Sequence, residues 1–176
     1  MKIISGKLKG KNIPINNKAN FRPTLSRIRE DLFNILAHNS ILKINWSQSI
    51  FCDLFCGSGS VGLEALSRGC SKVIFNDLDK MNLNHIDNFL KNNEELKYEL
   101  WNVDCYKGDI AFLKNCNVIF IDPPYKDDYK LIDQIIFDKI KNTSLIIFES
   151  EKKLESEDII LIKRYKNKYL FFIKKS

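Results

Sequence analysis

Short apolar runs alternate with segments of helical periodicity along most of the chain. The predicted strands are Ile50–Phe55, Val73–Phe75, Tyr98–Val103, Val118–Ile121, Leu145–Phe148, Ile159–Ile162 and Tyr169–Ile173. Apolar residues three or four positions apart predict helices around Ile28–Leu36, Leu63–Leu66, Leu83–Leu90 and Leu131–Ile140. Strands that alternate with helices form a mainly parallel sheet with helices on both faces. The short connection between the last two strands predicts an antiparallel edge.

The first 20 residues do not follow this alternation, and they belong to a segment, residues 1–30, that holds all of the chain's excess positive charge. Two apolar runs with glycines between them, over residues 3–15, predict a small β-hairpin. We therefore expect a hairpin extension over residues 1–20 and one domain over residues 21–176. Residues 1–30 contain eight Lys or Arg and one acid, so the segment is attracted to a phosphate backbone; a solvated tail is the alternative. The candidate contacts are Lys7, Lys9 and Lys11.

The composition narrows the class of protein. The chain has 176 residues, 44% of them hydrophobic, as in a folded domain. Its longest apolar run, Tyr169–Ile173, is far shorter than the roughly 18 residues of a membrane span, and the polar residues after Ile4 leave no room for a secretion signal. We expect a cytoplasmic protein. Five cysteines without a CxxC pair favour buried, reduced thiols, and we expect no metal.

A glycine-rich turn follows the first predicted strand. Residues Gly57–Gly62 have the GxGxxG spacing of nucleotide-binding turns and lead directly into a helix. Asp77 ends the next strand, where a carboxylate can accept hydrogen bonds from ribose hydroxyls. Strand, turn, helix and acid in this order predict a site for a nucleoside-containing cofactor. The alternative is a tight structural turn with Asp77 as a surface acid.

The acid before the turn indicates which cofactor binds. Dinucleotide-binding enzymes usually have an apolar strand up to the first glycine and a second nucleotide-binding half, whereas here Asp53 precedes the turn and no second half follows. The Asp53 carboxylate suits the ammonium and sulfonium of S-adenosylmethionine, and Asp104 could accept a hydrogen bond from adenine. Either acid alone is more often a cap or turn residue. The candidate cofactor contacts are Asp53, Phe55, Gly57, Ser58, Gly59, Asp77, Leu78, Asp104 and Cys105.

A second motif, Asp122-Pro123-Pro124-Tyr125, ends the fourth predicted strand. In a doubly wound sheet this strand lies beside the first one, where ligands bind, and the prolines make the turn rigid. The Asp122 carboxylate and the Pro123 carbonyl can accept the two N–H groups of an exocyclic base amine, so that its lone pair becomes available to a methyl group. Tyr125 can stack on the base. All four residues are catalytic candidates; a structural proline turn is the alternative.

Three arginines lie at the start of the first predicted helix. Arg27 and Arg29 are two positions apart, so they point to different sides of a helix and cannot form one clamp. One of them could face the pocket and a substrate phosphate, while the other pairs with Glu30 or solvent. Arg22, Arg27 and Arg29 are therefore candidate nucleic-acid contacts, and a solvated helix start is the alternative.

Several longer blocks form a pattern that is more specific than either motif alone. They are Ile3–Lys11, Arg22–Leu36, Asp53–Gly69, Phe120–Tyr125 and Ile147–Glu151. Together they resemble the bacterial ribosomal RNA small subunit methyltransferase D family. The chain departs from the family at Ser5, where glycine is usual, and in the turn Tyr165–Tyr169, which lacks an expected glycine.

This resemblance implies a class I S-adenosylmethionine-dependent methyltransferase fold with a short N-terminal hairpin. It implies methyl transfer to the exocyclic N2 of one guanine of 16S rRNA, the guanine at position 966, with Asp122–Tyr125 as the target-amine site and Asp77 as the ribose ligand. The implied partner is 16S rRNA, within the 30S subunit or its assembly intermediate, and we expect a monomer.

Three other functions remain as alternatives. A DNA adenine-N6 methyltransferase can use the same Asp-Pro-Pro-Tyr motif, although such enzymes generally carry a target-recognition region for which this chain has no spare length. A ribosome-assembly factor could bind RNA and retain only a relic of the cofactor pocket. An NAD-dependent oxidoreductase is the third alternative.

Overall fold

The computed structural model describes residues 1–13, 23–42, 44–124, 140 and 144–174. Its helices are α1 (Pro23–His38), α2 (Ser60–Ser67) and α3 (Lys80–Leu90), with short 3₁₀ turns at Trp46–Gln48 and Ala111–Asn115. Its strands are β1 (Ile50–Asp53), β2 (Lys72–Asn76), β3 (Tyr98–Trp101), β4 (Val118–Ile121), β5 (Leu145–Ser150), β6 (Ile159–Arg164) and β7 (Tyr169–Ile173). The predicted helix around Leu131–Ile140 falls almost wholly outside the described residues.

The seven strands form one sheet in the order β3-β2-β1-β4-β5-β7-β6. The strands from β3 through β5 pair in parallel, and β7 runs antiparallel to both of its neighbours, β5 and β6. The predicted mainly parallel sheet with an antiparallel edge is therefore confirmed. The strand order reverses direction between β1 and β4, and ligands bind in sheets of this kind at the carboxyl ends of the strands beside such a point.

Alternate residues of the central strands supply two separate apolar layers. In β1, Phe51 packs in the layer beneath α1, α2 and α3, whereas Cys52 packs in the layer on the opposite face. Every residue of β4 and β5 is buried, as expected for strands that are covered on both sides. The five cysteines are all buried with free thiols, as predicted. In the described part of the chain, no helix is long and apolar enough to cross a membrane.

The N-terminal segment, residues 1–13, forms a compact turn with one antiparallel bridge between Lys2 and Asn12 in place of two regular strands. Its backbone is held on α2: the N–H groups of Ile4 and Ser5 donate to the buried Glu64 carboxylate at 2.8 and 3.0 Å. Gly6 has φ +83°, and a Cβ there would lie 1.8 Å from the Ser67 carbonyl oxygen, so only glycine allows this contact.

Three apolar residues of this segment, Ile3, Leu8 and Ile13, are buried in the same core as α1, α2 and α3. The segment is therefore part of the domain's hydrophobic core, and the alternative of a freely solvated tail does not hold for its backbone. The predicted boundary at residue 20 lies outside the described residues.

Candidate active site

The carboxyl ends of β1, β4 and β5 border a solvent-connected cavity of about 180 Å³. Asp53 is the last residue of β1, Asp122 directly follows β4, and Glu149 lies near the end of β5. Of the residues singled out from the sequence, Arg29, Asp53, Phe55, Gly57, Ser58 and Asp122 line this cavity. The structure thus brings the glycine turn and the Asp-Pro-Pro motif together at one site.

The glycine turn is shaped by its own backbone and by close packing. Gly57 has φ +50°, and the direction in which a Cβ would point is open, as a turn that approaches a ligand requires. At Gly59 and Gly62 a Cβ would lie 2.7 Å from Ile86 and 2.3 Å from the Phe75 ring. The later glycines therefore allow α2 to pack tightly, and the first glycine leaves room beside the cavity.

Asp53 is buried at the floor of this turn. Its side chain accepts a hydrogen bond from the Gly62 N–H at 2.8 Å, which ties the end of β1 to the start of α2. Burial raises the pKa of Asp53 to about 7, and the nearby Asp77 carboxylate raises it further against the opposing Gly62 hydrogen bond. A cation in the cavity would compensate this buried acid.

Asp77 fixes the turn from the end of β2. One oxygen accepts the Gly57 N–H at 2.6 Å and the other accepts the Asp79 N–H at 2.8 Å. The next residue, Leu78, is 66% exposed, and Asn102 donates to the carbonyl groups of both Asp77 and Leu78. Asp77 is therefore an integral part of the turn with two backbone donors already bound, and Leu78 offers an ordered apolar surface beside it.

The candidates after β3 have mainly structural contacts. Asp104 accepts the Tyr106 N–H at 2.9 Å and caps the turn that follows. Cys105 is 2% exposed, and its thiol lies among Leu54 and Asn76 in the core, so its side chain cannot reach a cofactor. The prediction of Cys105 as a cofactor contact is thereby restricted to its backbone.

Asp122 lines the same cavity as the glycine turn, and the two prolines of its motif follow it directly. Asp122 is half-buried, Pro123 is buried and Pro124 is exposed. Burial and the neighbouring Glu149 carboxylate raise the pKa of Asp122 to about 8, which Lys168 partly opposes. Tyr125 lies outside the described residues.

Glu149 was not predicted as a site residue. It is 4% exposed, lines the cavity and forms a buried ion pair with Lys168, which is itself 9% exposed. The predicted strand ended at Phe148, whereas β5 continues to Ser150. A predicted strand that continued for two more residues, next to β4, would place the Glu149 carboxylate beside Asp122.

The basic candidates fall into two environments. Lys7, Lys9 and Lys11 are exposed on the N-terminal segment, and Lys11 donates to Asn93 at 3.2 Å. Arg27 is exposed on α1, whereas Arg29 is 3% exposed and faces the cavity. Of these two arginines only Arg27 is available to a nucleic acid at the surface. Arg22 lies outside the described residues.

The chain is similar over most of its length to known methyltransferases. The family model described as Conserved hypothetical protein 95 matches residues 1–170. Ribosomal RNA small subunit methyltransferase D of Haemophilus influenzae is 35% identical over 164 residues, which cover 86% of this chain and 79% of that protein. The protein of the same name from Buchnera aphidicola (subsp. Baizongia pistaciae) is also 35% identical, covering 88% and 78%. The chain belongs to the ribosomal RNA small subunit methyltransferase D family.

Solved structures agree with this family assignment. A putative methyltransferase of Escherichia coli superposes with a TM-score of 0.79 at 25% identity, covering 100% of this chain and 99% of that chain. An RNA methyltransferase of Salinibacter ruber, solved in complex with S-adenosylhomocysteine, has a TM-score of 0.64 at 10% identity, covering 90% and 95%, and thus shares the fold. The fold of this family member is that of the class I S-adenosylmethionine-dependent methyltransferases.

Proposed function

We propose that this chain transfers the methyl group of S-adenosylmethionine to the exocyclic N2 of a guanine in 16S rRNA. The observation that carries the proposal is that Asp53, the glycine turn and Asp122 line one cavity. Membership of the small subunit methyltransferase D family supports both the reaction class and an rRNA substrate.

The residues present fit S-adenosylmethionine. Among the described residues Asp53 is a buried acid with no cationic side chain paired to it, and the direction of a Cβ at Gly57 is open. Asp77 keeps lone pairs for ribose hydroxyls, and Leu78 offers an apolar surface to adenine. When bound, the cofactor supplies an electrophilic methyl group on a positively charged sulfur.

Asp122 and Pro123 act on the target amine. The lone pair of an exocyclic amine is conjugated into the base, so the amine is a weak nucleophile until its two N–H groups are held by acceptors. The Asp122 carboxylate and the Pro123 carbonyl supply those acceptors. As the N–C bond forms and the S–C bond breaks, positive charge develops on nitrogen and is stabilised by Asp122, which then accepts the surplus proton. The leaving group is neutral S-adenosylhomocysteine.

Glu149 favours guanine over adenine as the target. Guanine presents an N1–H donor next to its N2 amine, whereas adenine presents an N1 acceptor next to its N6 amine. The Glu149 carboxylate lines the same cavity as Asp122. Its ion pair with Lys168 indicates the ionised form, and an ionised carboxylate only accepts hydrogen bonds. A second acceptor beside the first matches two adjacent donors and repels the adenine N1 lone pair.

The N-terminal segment supplies an RNA-binding surface in this proposal. Its lysines are exposed while its backbone is hydrogen-bonded to Glu64 and Ser67, so the lysine side chains extend from fixed backbone positions next to the domain. Fixed lysines contact phosphates with less loss of conformational entropy than lysines on a mobile tail would.

Replacing Lys7, Lys9 and Lys11 by alanine is expected to weaken RNA binding and flatten its salt dependence. Each lost phosphate contact lowers the log–log slope of affinity against salt by roughly 0.7–0.9. Filter binding of a 16S rRNA fragment between 50 and 300 mM salt measures this slope. The control replaces the exposed Lys97 and Lys114, which lie outside the segment, and should leave the slope unchanged. An unchanged slope in the triple variant would remove the segment from the RNA interface.

The product decides between this function and its alternatives. Labelled S-adenosylmethionine is supplied in parallel with free 16S rRNA, assembled 30S particles and DNA, and the modified nucleoside is identified after digestion. We expect N2-methylguanosine in RNA. N6-methyladenine in DNA would overturn the proposal, and binding of RNA without any methylation would favour an assembly factor.

A further inference from the structure

Arg29 is a buried cation whose hydrogen-bonding capacity is largely unused. Its side chain is 3% exposed and lines the cavity. Its Nη2 donates to the Lys2 carbonyl oxygen at 2.6 Å, but Nε and Nη1 have no hydrogen-bond acceptor in the described part of the chain. Burial lowers the pKa of the Arg29 guanidinium, yet such a group stays protonated in proteins. Buried donors of this kind are normally paired.

The Glu64 carboxylate lies close to Arg29 but does not accept a hydrogen bond from its guanidinium. Glu64 Oε2 lies 3.9 Å from Arg29 Nε, beyond hydrogen-bond distance. The same carboxylate binds Arg68 Nε at 2.9 Å and the N–H groups of Ile4 and Ser5. One negative charge is thus shared by two arginines and two amides, which leaves an excess positive charge at Arg29.

The cavity therefore presents charges of both signs to a ligand. Among the described residues that line the cavity, Arg29 is the one with a positively charged side chain. Asp53 is a buried acid on the same cavity. A ligand group with a carboxylate next to an ammonium complements this arrangement. We propose that Arg29 binds the α-carboxylate of the methionine part of S-adenosylmethionine, while Asp53 faces its ammonium.

This inference rests on the proposed cofactor and adds a ligand that the glycine motif does not reveal. An RNA phosphate is the other anion that could reach a guanidinium. At 3% exposure, however, Arg29 lies below the surface that the exposed Arg27 and the lysines of the N-terminal segment present to RNA. The carboxylate of a ligand that enters the cavity is the better match.

Calorimetric titration with two ligands isolates the carboxylate contact. S-adenosylhomocysteine and its decarboxylated analogue share the nucleoside and the amine and differ only in the carboxylate. We expect Arg29→Met to bind S-adenosylhomocysteine about 10- to 100-fold more weakly than the wild type does, and to bind the decarboxylated analogue within about threefold of the wild type. Arg27→Met, the exposed control on the same helix, should match the wild type with both ligands.

The remaining outcomes are distinct. Equal weakening of both ligands in Arg29→Met would assign Arg29 a purely structural role and overturn the inference, as would equal affinity of the wild type for both ligands. Unchanged S-adenosylhomocysteine affinity with weaker binding of a 16S rRNA fragment would assign the guanidinium to a phosphate, which also overturns the inference.

If Arg29→Met does not fold, Arg29→Lys keeps the positive charge. The preference of this variant for S-adenosylhomocysteine over the decarboxylated analogue should then persist in reduced form, and its complete loss or full retention would contradict the inference. Failure of the wild type to bind either ligand would instead refute the proposed cofactor.

Discussion

Asp122→Asn is expected to lower the single-turnover rate of methyl transfer by about 10²–10³-fold while cofactor affinity stays within a few fold of the wild type. The amide removes the negative charge that stabilises the developing positive charge on nitrogen, an effect worth about 3–4 kcal/mol in comparable preorganised sites. It also removes the acceptor for the surplus proton. Rapid mixing of enzyme, labelled S-adenosylmethionine and RNA measures the rate, and calorimetry measures cofactor binding.

Asp53→Asn is the matched control in the same cavity. Asp53 lies on the cofactor side, so its amide variant should weaken cofactor binding, the property that Asp122→Asn leaves intact. Asp122→Asn is expected to stay folded. Because the pKa of Asp122 is raised from 3.8 to about 8 in the folded protein, the free energy of unfolding falls as pH rises through this interval, and the neutral amide avoids this cost. Wild-type turnover in Asp122→Asn would reject the role given to this carboxylate.

The same carboxyl group sets an expected pH dependence. Burial and Glu149 raise the pKa of Asp122 to about 8, so in the free protein the acid is largely protonated at pH 6.5 and cannot accept a proton. The rate should therefore rise with pH, approaching tenfold per unit below the midpoint. The positive sulfur of the bound cofactor favours the carboxylate, so the midpoint at saturating cofactor should lie below 8. A rate that is flat from pH 6 to 9 would contradict this assignment.

The sheet and the glycine turn could be predicted because their signals are local. Buried parallel strands are continuous apolar runs, and the spacing from Gly57 to Asp77 follows from the length of one helix and one strand. The conserved geometry of a doubly wound sheet then places the end of β4 beside the end of β1. That rule is sufficient to predict that Asp122, which follows β4, lies close to the cofactor site at the end of β1.

The features that the sequence analysis missed depend on tertiary contacts. Arg29 and Arg27 are indistinguishable by type and spacing, and only the packing of α1 against the N-terminal segment buries one of them. Polar residues at the end of β5 resemble a strand terminus, so the apolar pattern predicts a strand that ends at Phe148, before Glu149. Its pairing with Lys168, 19 positions away, lets the acid remain buried, and no local pattern reveals such a pair.

Glu149→Gln is expected to lower guanine methylation by about 10- to 100-fold and to reduce the preference for guanine over adenine. A neutral amide accepts the guanine N1–H more weakly than a carboxylate does, and its NH₂ group can donate to the adenine N1 that a carboxylate repels. Discrimination of this kind is large where a site is built to pair a specific donor, because the wrong partner leaves buried groups unpaired. Two 16S rRNA fragments that differ only in guanine or adenine at the target position measure both rates.

Glu151→Gln provides the matched control for this variant. Glu151 is an exposed acid two residues further along, so its amide removes the same charge without changing the lining of the cavity. If Glu149 acts only through the long-range charge that raises the pKa of Asp122, Glu149→Gln should shift the pH profile to lower pH and leave the guanine-to-adenine ratio unchanged. A changed ratio at the pH optimum of each variant identifies a direct contact with the base edge. An unchanged ratio would place the choice of guanine elsewhere in the protein–RNA interface.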